Sequence, residues 1–245
     1  MTDTKPIADL IADLDHPDKP AIRAAVDALI RLASDSPDAR QLLNRRLSEP
    51  GHKNYWPAAY ILGHFRDASA AVLQTLIEAL DHRDPDIRWA VALLLVRLIK
   101  TDGSLVRFLT DLCASGTANQ KRMALYCLRD LALTDPVSLA AMLRGLRDAD
   151  ASVRVAAAIS LRLRPDVDEA GKNLLLEVYL EDTESKVRHT AAIALATLGA
   201  PSARFLFALT AASESADDQT KKAALAALEL LKKEGPLQPA ASRDR

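Results

Sequence analysis

Residues 84–98 read DPDIRWAVALLLVRL, and the fold follows from this stretch because its pattern returns along the whole chain. Each copy places apolar residues at helical spacing around a central leucine. These leucines stand 33 residues apart, with one step of 34, at Leu29, Leu62, Leu95, Leu128, Leu161, Leu195 and Leu228. A small apolar residue precedes each leucine by four positions, at Ala25, Ala58, Val91, Ala124, Ala157, Ala191 and Ala224. A period of this length indicates an array of supersecondary units.

In each copy another helical stretch precedes this one, so that every repeat has a first and a second helix. In this preceding helix one column is apolar in every repeat: Leu10, Leu43, Leu76, Leu109, Met142, Leu176 and Leu209. The sequence therefore predicts an all-α fold, an α-solenoid of seven antiparallel helical hairpins. We expect one domain over residues 5–234 and a disordered tail over 235–245, with hairpins at about 5–34, 35–66, 67–100, 101–134, 135–165, 166–200 and 201–234.

Composition and charge narrow the class of protein. Hydrophobic residues make up 49% of the 245 residues, which is ample for a core. Lys plus Arg (32) nearly balances Asp plus Glu (33), so the chain lacks the net positive charge that drives binding to nucleic acid. The N-terminus has no basic region followed by an apolar stretch, and the longest apolar run, Trp89 to Val96, is too short to span a bilayer. We expect a cytoplasmic protein without nucleic-acid or membrane partners, in which Cys113 and Cys127 are small core residues.

The second-helix stretches DPDIRWAVALLLVRL (84–98), DASVRVAAAISLRL (150–163) and ESKVRHTAAIALATLG (184–199) resemble the HEAT-repeat family. The resemblance is to the short HEAT-like repeats of phycobilin lyases in particular, and it covers roughly residues 5–234. It implies the fold, but it says little about function, because the family includes scaffolds, enzyme subunits and enzymes.

The family's arginine column also falls on this sequence. It holds basic residues in five repeats: Arg88, Lys121, Arg154, Arg188 and Lys221. The resemblance implies that these bases form a structural ladder with acids of the turns, such as Asp81, Asp148 and Asp182. In the first two repeats the column holds Ile22 and Tyr55, so the ladder is expected to be interrupted there.

The side of each second helix that faces away from the leucine column is the predicted binding surface. Two residues advance about 200° around a helix, so this side lies opposite the buried alanine and leucine columns. In HEAT-type arrays the second helices line the concave side, so the resemblance implies a groove wall. Both tryptophans fall on this side, and the predicted groove residues are Trp56, Tyr60, His64, Trp89, Leu93, Arg97, Arg122, Tyr126, Arg129, Ile159 and Arg162. The alternative is that Trp56 and Trp89 fill the core between adjacent repeats.

Short catalytic motifs are absent from the sequence. A HEAT-type di-iron hydroxylase would need His-Glu pairs, and the sequence contains no His-Glu dipeptide. It also lacks a glycine-rich phosphate loop, a Gly-x-Ser-x-Gly elbow and a Cys-His pairing signature. We therefore expect no catalytic residues, no metal and no cofactor.

Two enzyme hypotheses stay beside this expectation. A groove of the phycobilin lyase type would accept a tetrapyrrole, whose propionates Arg97, Arg122 or Arg129 would neutralise. A HEAT-like DNA glycosylase would use tryptophans and an acid such as Asp130, but the balanced charge of the chain disfavours duplex binding.

The sequence favours a noncatalytic scaffold or adaptor that holds a protein or peptide in its concave groove. Aromatic side chains on an exposed face, flanked by arginines, are typical of a binding patch. The arginines of the groove would select acidic or amphipathic partners through charge-assisted hydrogen bonds.

Overall fold

A computed structural model describes residues 5–34, 36–199 and 202–233. The regular elements of this part of the chain are helices, as predicted. They are α1 Ile7–Ala12, α2 Lys19–Ala33, α3 Pro37–Ser48, α4 Trp56–His64, α5 Ala70–Ala79, α6 Pro85–Thr101, α7 Val106–Ser115, α8 Ala118–Leu131, α9 Pro136–Gly145, α10 Ala151–Leu161, α11 Glu169–Glu181, α12 Ser185–Leu198, α13 Ala203–Ser213 and α14 Asp218–Lys233. The predicted tail over 235–245 lies outside the described residues.

The helices pair into hairpins and divide into two compact units, Met1–Leu105 and Val106–Arg245. In the first unit α3 packs on α4 and α5 on α6, while α2, α4 and α6 lie side by side. In the second unit α7 packs on α8, α9 on α10, α11 on α12 and α13 on α14, and the even-numbered helices again lie side by side. The predicted fold class, an α-solenoid of helical hairpins, is confirmed. One continuous domain over 5–234 stays a prediction.

The core of each unit is built from the repeating columns. The leucines of the first six repeats are buried, and so is the small residue four positions before each of them. Leu228, in the last repeat, is half-buried. The apolar column of the preceding helices is buried from Leu10 to Leu209. The columns of residues that the sequence predicts to be buried are therefore the ones that form the core.

Local capping sets where several helices begin. Ser36 and Asp84 each accept a hydrogen bond from a first-turn backbone N–H, and a proline follows each of them. Thr117 forms a capping box with Gln120 at the start of α8. These side chains satisfy backbone donors that a helix leaves unpaired at its N-terminus. At the other end of α12, Gly199 adopts a φ of 69° that favours glycine.

In the second unit, two rungs of the basic column join adjacent hairpins. Lys121 forms an ion pair with Asp148 at 2.8 Å. Arg154 donates two hydrogen bonds to the carboxylate of Asp182, at 2.7 and 2.9 Å. The other members act differently: Arg188 and, in the first unit, Arg88 donate to carbonyls of their own turns, and Lys221 lies exposed on α14. Arg154 also donates to the carbonyls of Asp148 and Ala149 in its own turn, so a base of this column can close its own turn and link two hairpins at once.

The second hairpin departs from the repeat in a way that shapes the first unit. Position 52 is the repeat equivalent of Lys19, where α2 begins, yet α4 begins only at Trp56, about one helical turn later. The missing turn is replaced by a loop in which Gly51 has a φ of 102°. A space is therefore left between the first turns of α2 and α6.

Candidate binding groove

The space left by the late start of α4 is a groove of about 1030 Å³, entirely within the first unit. We call it the N-terminal groove. Its lining comes from the first three hairpins, and it consists of Asp15, His16, Pro17, Lys19, Ile22, Arg23, Val26, Asp27, Lys53, Asn54, Trp56, Tyr60, His82, Arg83, Asp84, Asp86, Ile87, Trp89, Ala90 and Leu93. Its volume is at the upper end of the range of small-ligand pockets, roughly 300–1,000 Å³, so it has room for several peptide residues.

Aromatic and apolar side chains line the centre of the groove. Trp56 is half-buried and packs edge-on against Tyr60, with ring centroids 6.4 Å apart, and against His82 at 6.2 Å. Trp89 is 41% exposed and Leu93 is 60% exposed. The alternative that both tryptophans fill the core is wrong for Trp89, because the side of α6 that carries it points away from the buried leucines.

A buried arginine supports one wall of the groove. Arg46, on α3, is 3% exposed, and it pairs with Asp15 at 2.7 Å and donates to the backbone oxygen of Asn54 at 3.0 Å. The Asp15 carboxylate also accepts from the backbone N–H groups of Lys53 and Asn54, at 2.9 and 3.0 Å. Although burial raises the pKa of Asp15, these hydrogen bonds lower it below its ordinary value. Asp15 is therefore a neutralised, structural carboxylate that ties the first hairpin to the loop before α4.

A lysine joins the first and third hairpins beside the groove. Lys19, at the start of α2, lies 2.6 Å from both Asp84 and Asp86 at the start of α6. The hydrogen bond from Lys19 lowers the pKa of Asp84, and the two aspartates raise the pKa of Lys19. This contact is possible because α4 begins late, so that no helical turn of α4 separates Lys19 from Asp84 and Asp86.

Three other cations of the lining keep no such partner. Among residues 5–34, 36–199 and 202–233, none forms an ion pair with Arg23, Lys53 or Arg83. Arg23 and Asp27 lie on α2 close enough to Tyr60 to affect it. Burial raises the pKa of Tyr60, Arg97 and Arg23 oppose this change, and Asp27 adds to it. The groove thus keeps three cations without an ion pair, against Asp27 and the one negative charge that Lys19 leaves uncompensated on Asp84 and Asp86.

Two histidines adjoin this aromatic cluster. The ring of His64 contacts that of Tyr60 in a tilted arrangement, with ring centroids 4.8 Å apart, and burial together with the charge of Arg97 lowers the pKa of His64. His82 accepts a hydrogen bond at Nδ1 from the backbone N–H of Asp84, and burial lowers its pKa although Asp84 opposes the change. Both rings are therefore neutral near pH 7, and they add aromatic surface without charge.

These histidines lead to a pH prediction. A histidine whose pKa is lower in the folded protein takes up a proton more readily when the chain unfolds, so its stabilising contribution is complete above about pH 6.5 and is lost as the pH falls. His64, His82 and His189, on α12, share this direction. The free energy of unfolding, measured by urea denaturation, should therefore decrease between about pH 7 and pH 5, before the aspartates with lowered pKa begin to protonate below about pH 4. A wild-type profile that is flat between pH 7 and 5 would contradict this expectation.

The predicted site residues fall into two groups. The first unit brings Trp56, Tyr60, Trp89 and Leu93 into the groove lining. His64 contacts the ring of Tyr60, and Arg97 is exposed on α6. Prediction from the sequence missed the contribution of the first hairpin, above all Lys19 and Arg23. The signal was present, because Arg23 occupies the same column of the repeat as Trp56 and Trp89.

The other five predicted residues belong to the second unit. Arg129 lies 5.0 Å over the ring of Tyr126 and pairs with Asp130 at 2.7 Å. Arg122 donates to the side chain of Asn119 at 2.9 Å, Ile159 is half-buried and Arg162 is exposed. Two of the arginines expected to choose acidic partners are therefore held by neighbours on their own helix.

Clusters of possible metal ligands and membrane-spanning helices were both looked for among the described residues. Within residues 5–34, 36–199 and 202–233, no three His, Cys, Asp or Glu side chains cluster so as to hold a metal ion. None of the described helices combines the length and apolar character required to cross a bilayer. Burial raises the pKa of the Cys113 and Cys127 thiols to about 12, which leaves them protonated and unreactive at neutral pH.

The repeat is similar to a known family and to solved structures. Residues 139–229 match the family model described as HEAT repeats. The crystal structure of the Escherichia coli protein YibA has the same fold, with a TM-score of 0.59 and 17% identity over 92% of this chain and 92% of that chain. None of the curated proteins matches the sequence.

Two further structures are more loosely similar. Human deoxyhypusine hydroxylase in complex with glycerol gives a TM-score of 0.44 at 18% identity, covering 93% of this chain and 85% of that one. Computationally designed armadillo repeat proteins for modular peptide recognition give 0.45 at 16% identity, covering 92% and 99%. At these scores neither similarity supports an argument about function.

The paired helices and their repeating core define a HEAT/armadillo-like repeat protein. The match to the HEAT-repeat model supports this class for residues 139–229. The resemblance to phycobilin lyases in particular finds no support in these comparisons, and Arg122 and Arg129, two of the arginines expected to hold a tetrapyrrole, already have partners. The acid required by the glycosylase hypothesis, Asp130, is paired with Arg129.

Proposed function

We propose that this protein is a noncatalytic scaffold or adaptor that binds a protein or peptide in its N-terminal groove. The observation that carries the proposal is the position of Trp89 and Leu93, exposed beside the half-buried Trp56 and Tyr60 in a groove of about 1030 Å³. Exposing large apolar side chains to water is unfavourable, so a contiguous apolar surface rimmed by polar groups usually marks an interaction site. Tryptophan and tyrosine are also the residues that most often dominate binding energy at interfaces.

Other residues predicted from the sequence lie outside the groove lining. Arg97 lies next to the groove, and its charge acts on Tyr60 and His64. Tyr126, Ile159 and Arg162 would form a separate contact surface on the second unit. A cytoplasmic location is part of the proposal, and it is supported by Cys113 and Cys127, whose thiol form suits a reducing compartment.

Affinity capture from the native cell tests this function. Wild-type protein is compared with a Trp56→Ala/Trp89→Ala double variant and with Phe207→Ala as a matched control. Phe207 is an aromatic residue, 78% exposed, on α13 and outside the groove lining. We expect proteins that the wild type and the Phe207 variant retain and that the double variant loses. Identical capture by all three proteins would show that the groove is not the binding site.

A further inference from the structure

The charges around the N-terminal groove indicate which kind of peptide fits it, and this inference rests on the proposed peptide-binding function. The lining contains four aspartates: Asp15, Asp27, Asp84 and Asp86. Asp15 is neutralised by Arg46, and Asp84 and Asp86 share Lys19, so that these two acids and the lysine together keep one negative charge. A cationic ligand would have to compete with these contacts, because Arg46 is buried in place and Lys19 sits between its two acids.

The cations without an ion pair, by contrast, come from all three hairpins that line the groove. Arg23 comes from the first hairpin, Lys53 from the second and Arg83 from the third. All three side chains are exposed, and within the described parts of the chain only Asp27, on the same helix as Arg23, is an acid of the lining without an ion pair. An acidic ligand would therefore find a cation on each of the three hairpins and would displace no existing ion pair.

Apolar and aromatic side chains share the lining with these cations. Trp56 and Tyr60 are half-buried, and Trp89 and Leu93 are exposed. A bulky apolar side chain would bury the exposed indole and the leucine side chain and release water from both. Favourable binding therefore requires two chemical features in one segment, an apolar anchor and acids on either side of it.

We propose that the N-terminal groove binds a segment of a partner protein in which a bulky apolar side chain is flanked by carboxylates. The apolar side chain packs against Trp56, Trp89 and Leu93. The flanking carboxylates face Arg23, Lys53 and Arg83. The anchor supplies most of the affinity, whereas the charges select acidic over basic segments and accelerate encounter.

Blocked synthetic peptides test this inference. The probe is acetylated and amidated Glu-Glu-Glu-Leu-Phe-Glu-Glu-Glu. One comparison peptide has lysine in place of every glutamate, and the other has Ser-Ser in place of Leu-Phe. Binding is measured by calorimetry and by tryptophan fluorescence at low and high salt. We expect the glutamate probe to bind at least tenfold more tightly than either comparison peptide, with an advantage over the lysine peptide that shrinks as salt screens the charges.

Matched variants locate the charge effect. The triple variant Arg23→Gln/Lys53→Gln/Arg83→Gln removes the three groove cations, and Lys100→Gln/Lys186→Gln/Arg204→Gln removes three exposed cations outside the lining. We expect the first variant to weaken binding of the glutamate probe about tenfold and the second to change it less than twofold. Equal weakening by both variants would mean that net charge, not the groove, attracts the probe.

The remaining outcomes separate this inference from the proposed function. Equal or tighter binding of the lysine peptide, or equal binding of the Ser-Ser peptide, would overturn the inferred partner chemistry. So would a glutamate probe that fails to bind at millimolar concentration. In each of these cases the proposed function would still stand if captured partners depend on Trp56 and Trp89. If they do not, the proposed function fails as well.

Discussion

Replacing Trp89 by alanine is expected to weaken binding of a captured partner at least tenfold while leaving the free energy of unfolding nearly unchanged. The indole is 41% exposed and lies in the groove lining, so its removal takes away contact surface but opens no large cavity in the core. Truncation of a central aromatic anchor commonly costs about 2 kcal/mol or more of binding free energy, which exceeds a factor of ten in affinity. Calorimetric titration of the partner and urea denaturation of the free protein measure the two quantities.

Phe207→Ala is the control for this prediction. It removes an aromatic side chain that is even more exposed, on a helix that does not line the groove. We expect no change of affinity beyond about twofold, as for a surface residue outside an interface. If Trp89→Ala bound the partner as tightly as wild type, or if Phe207→Ala weakened binding equally, the anchor would have to be sought elsewhere.

The largest effect on stability is expected from Arg46→Ala, which should lower the free energy of unfolding by about 3 kcal/mol. Arg46 is 3% exposed and holds together the Asp15 carboxylate, the backbone oxygen of Asn54 and the Nδ1 of His52. Removing it leaves these groups without their main partner and also removes the packing of a long buried side chain. Because Asp15 and Asn54 line the N-terminal groove, binding of the glutamate probe should weaken in the same variant.

The neighbouring arginine gives a matched control for this substitution. Arg45 lies on the same helix, is exposed, and forms an i,i+4 ion pair with Glu49 at 3.8 Å. Such surface pairs are worth about 0.5 kcal/mol or less, so Arg45→Ala should change stability very little. Urea denaturation at pH 7 compares the two variants. A difference between them of less than about 1 kcal/mol would show that the buried network does not hold the wall of the groove.

Much of the fold was predictable because its causes are local or periodic. Asp84 followed by Pro85, and Ser36 followed by Pro37, predict the helix starts that the structure contains, since capping depends on residues within one turn. The leucine column predicts the buried face, because a helix brings every third or fourth residue to the same side. The same periodicity places Trp89 on the side of α6 opposite the leucines, and it therefore also predicts that Trp89 is exposed.

Electrostatic partners were less predictable. The ion pairs of Lys121 with Asp148 and of Arg154 with Asp182 follow from an implied repeat ladder. Nothing in the spacing predicts that Arg46 is buried, because a charged residue on a surface helix is ordinarily solvated. Its burial requires Asp15 and the loop before α4 to converge on it, and that convergence depends on how three segments pack.

The amino-acid order alone predicts the helical hairpins, the buried register and the side of α4 and α6 that carries the two indoles, because these depend on neighbours within a few turns. The groove itself is a property of the packed hairpins. It exists because α4 begins about a turn late between α2 and α6, and because Lys19 then reaches Asp86, 67 residues away. Distances between such remote side chains are set by the packing of intervening helices, so only the tertiary structure shows which charges of the groove are neutralised and which remain to meet a partner.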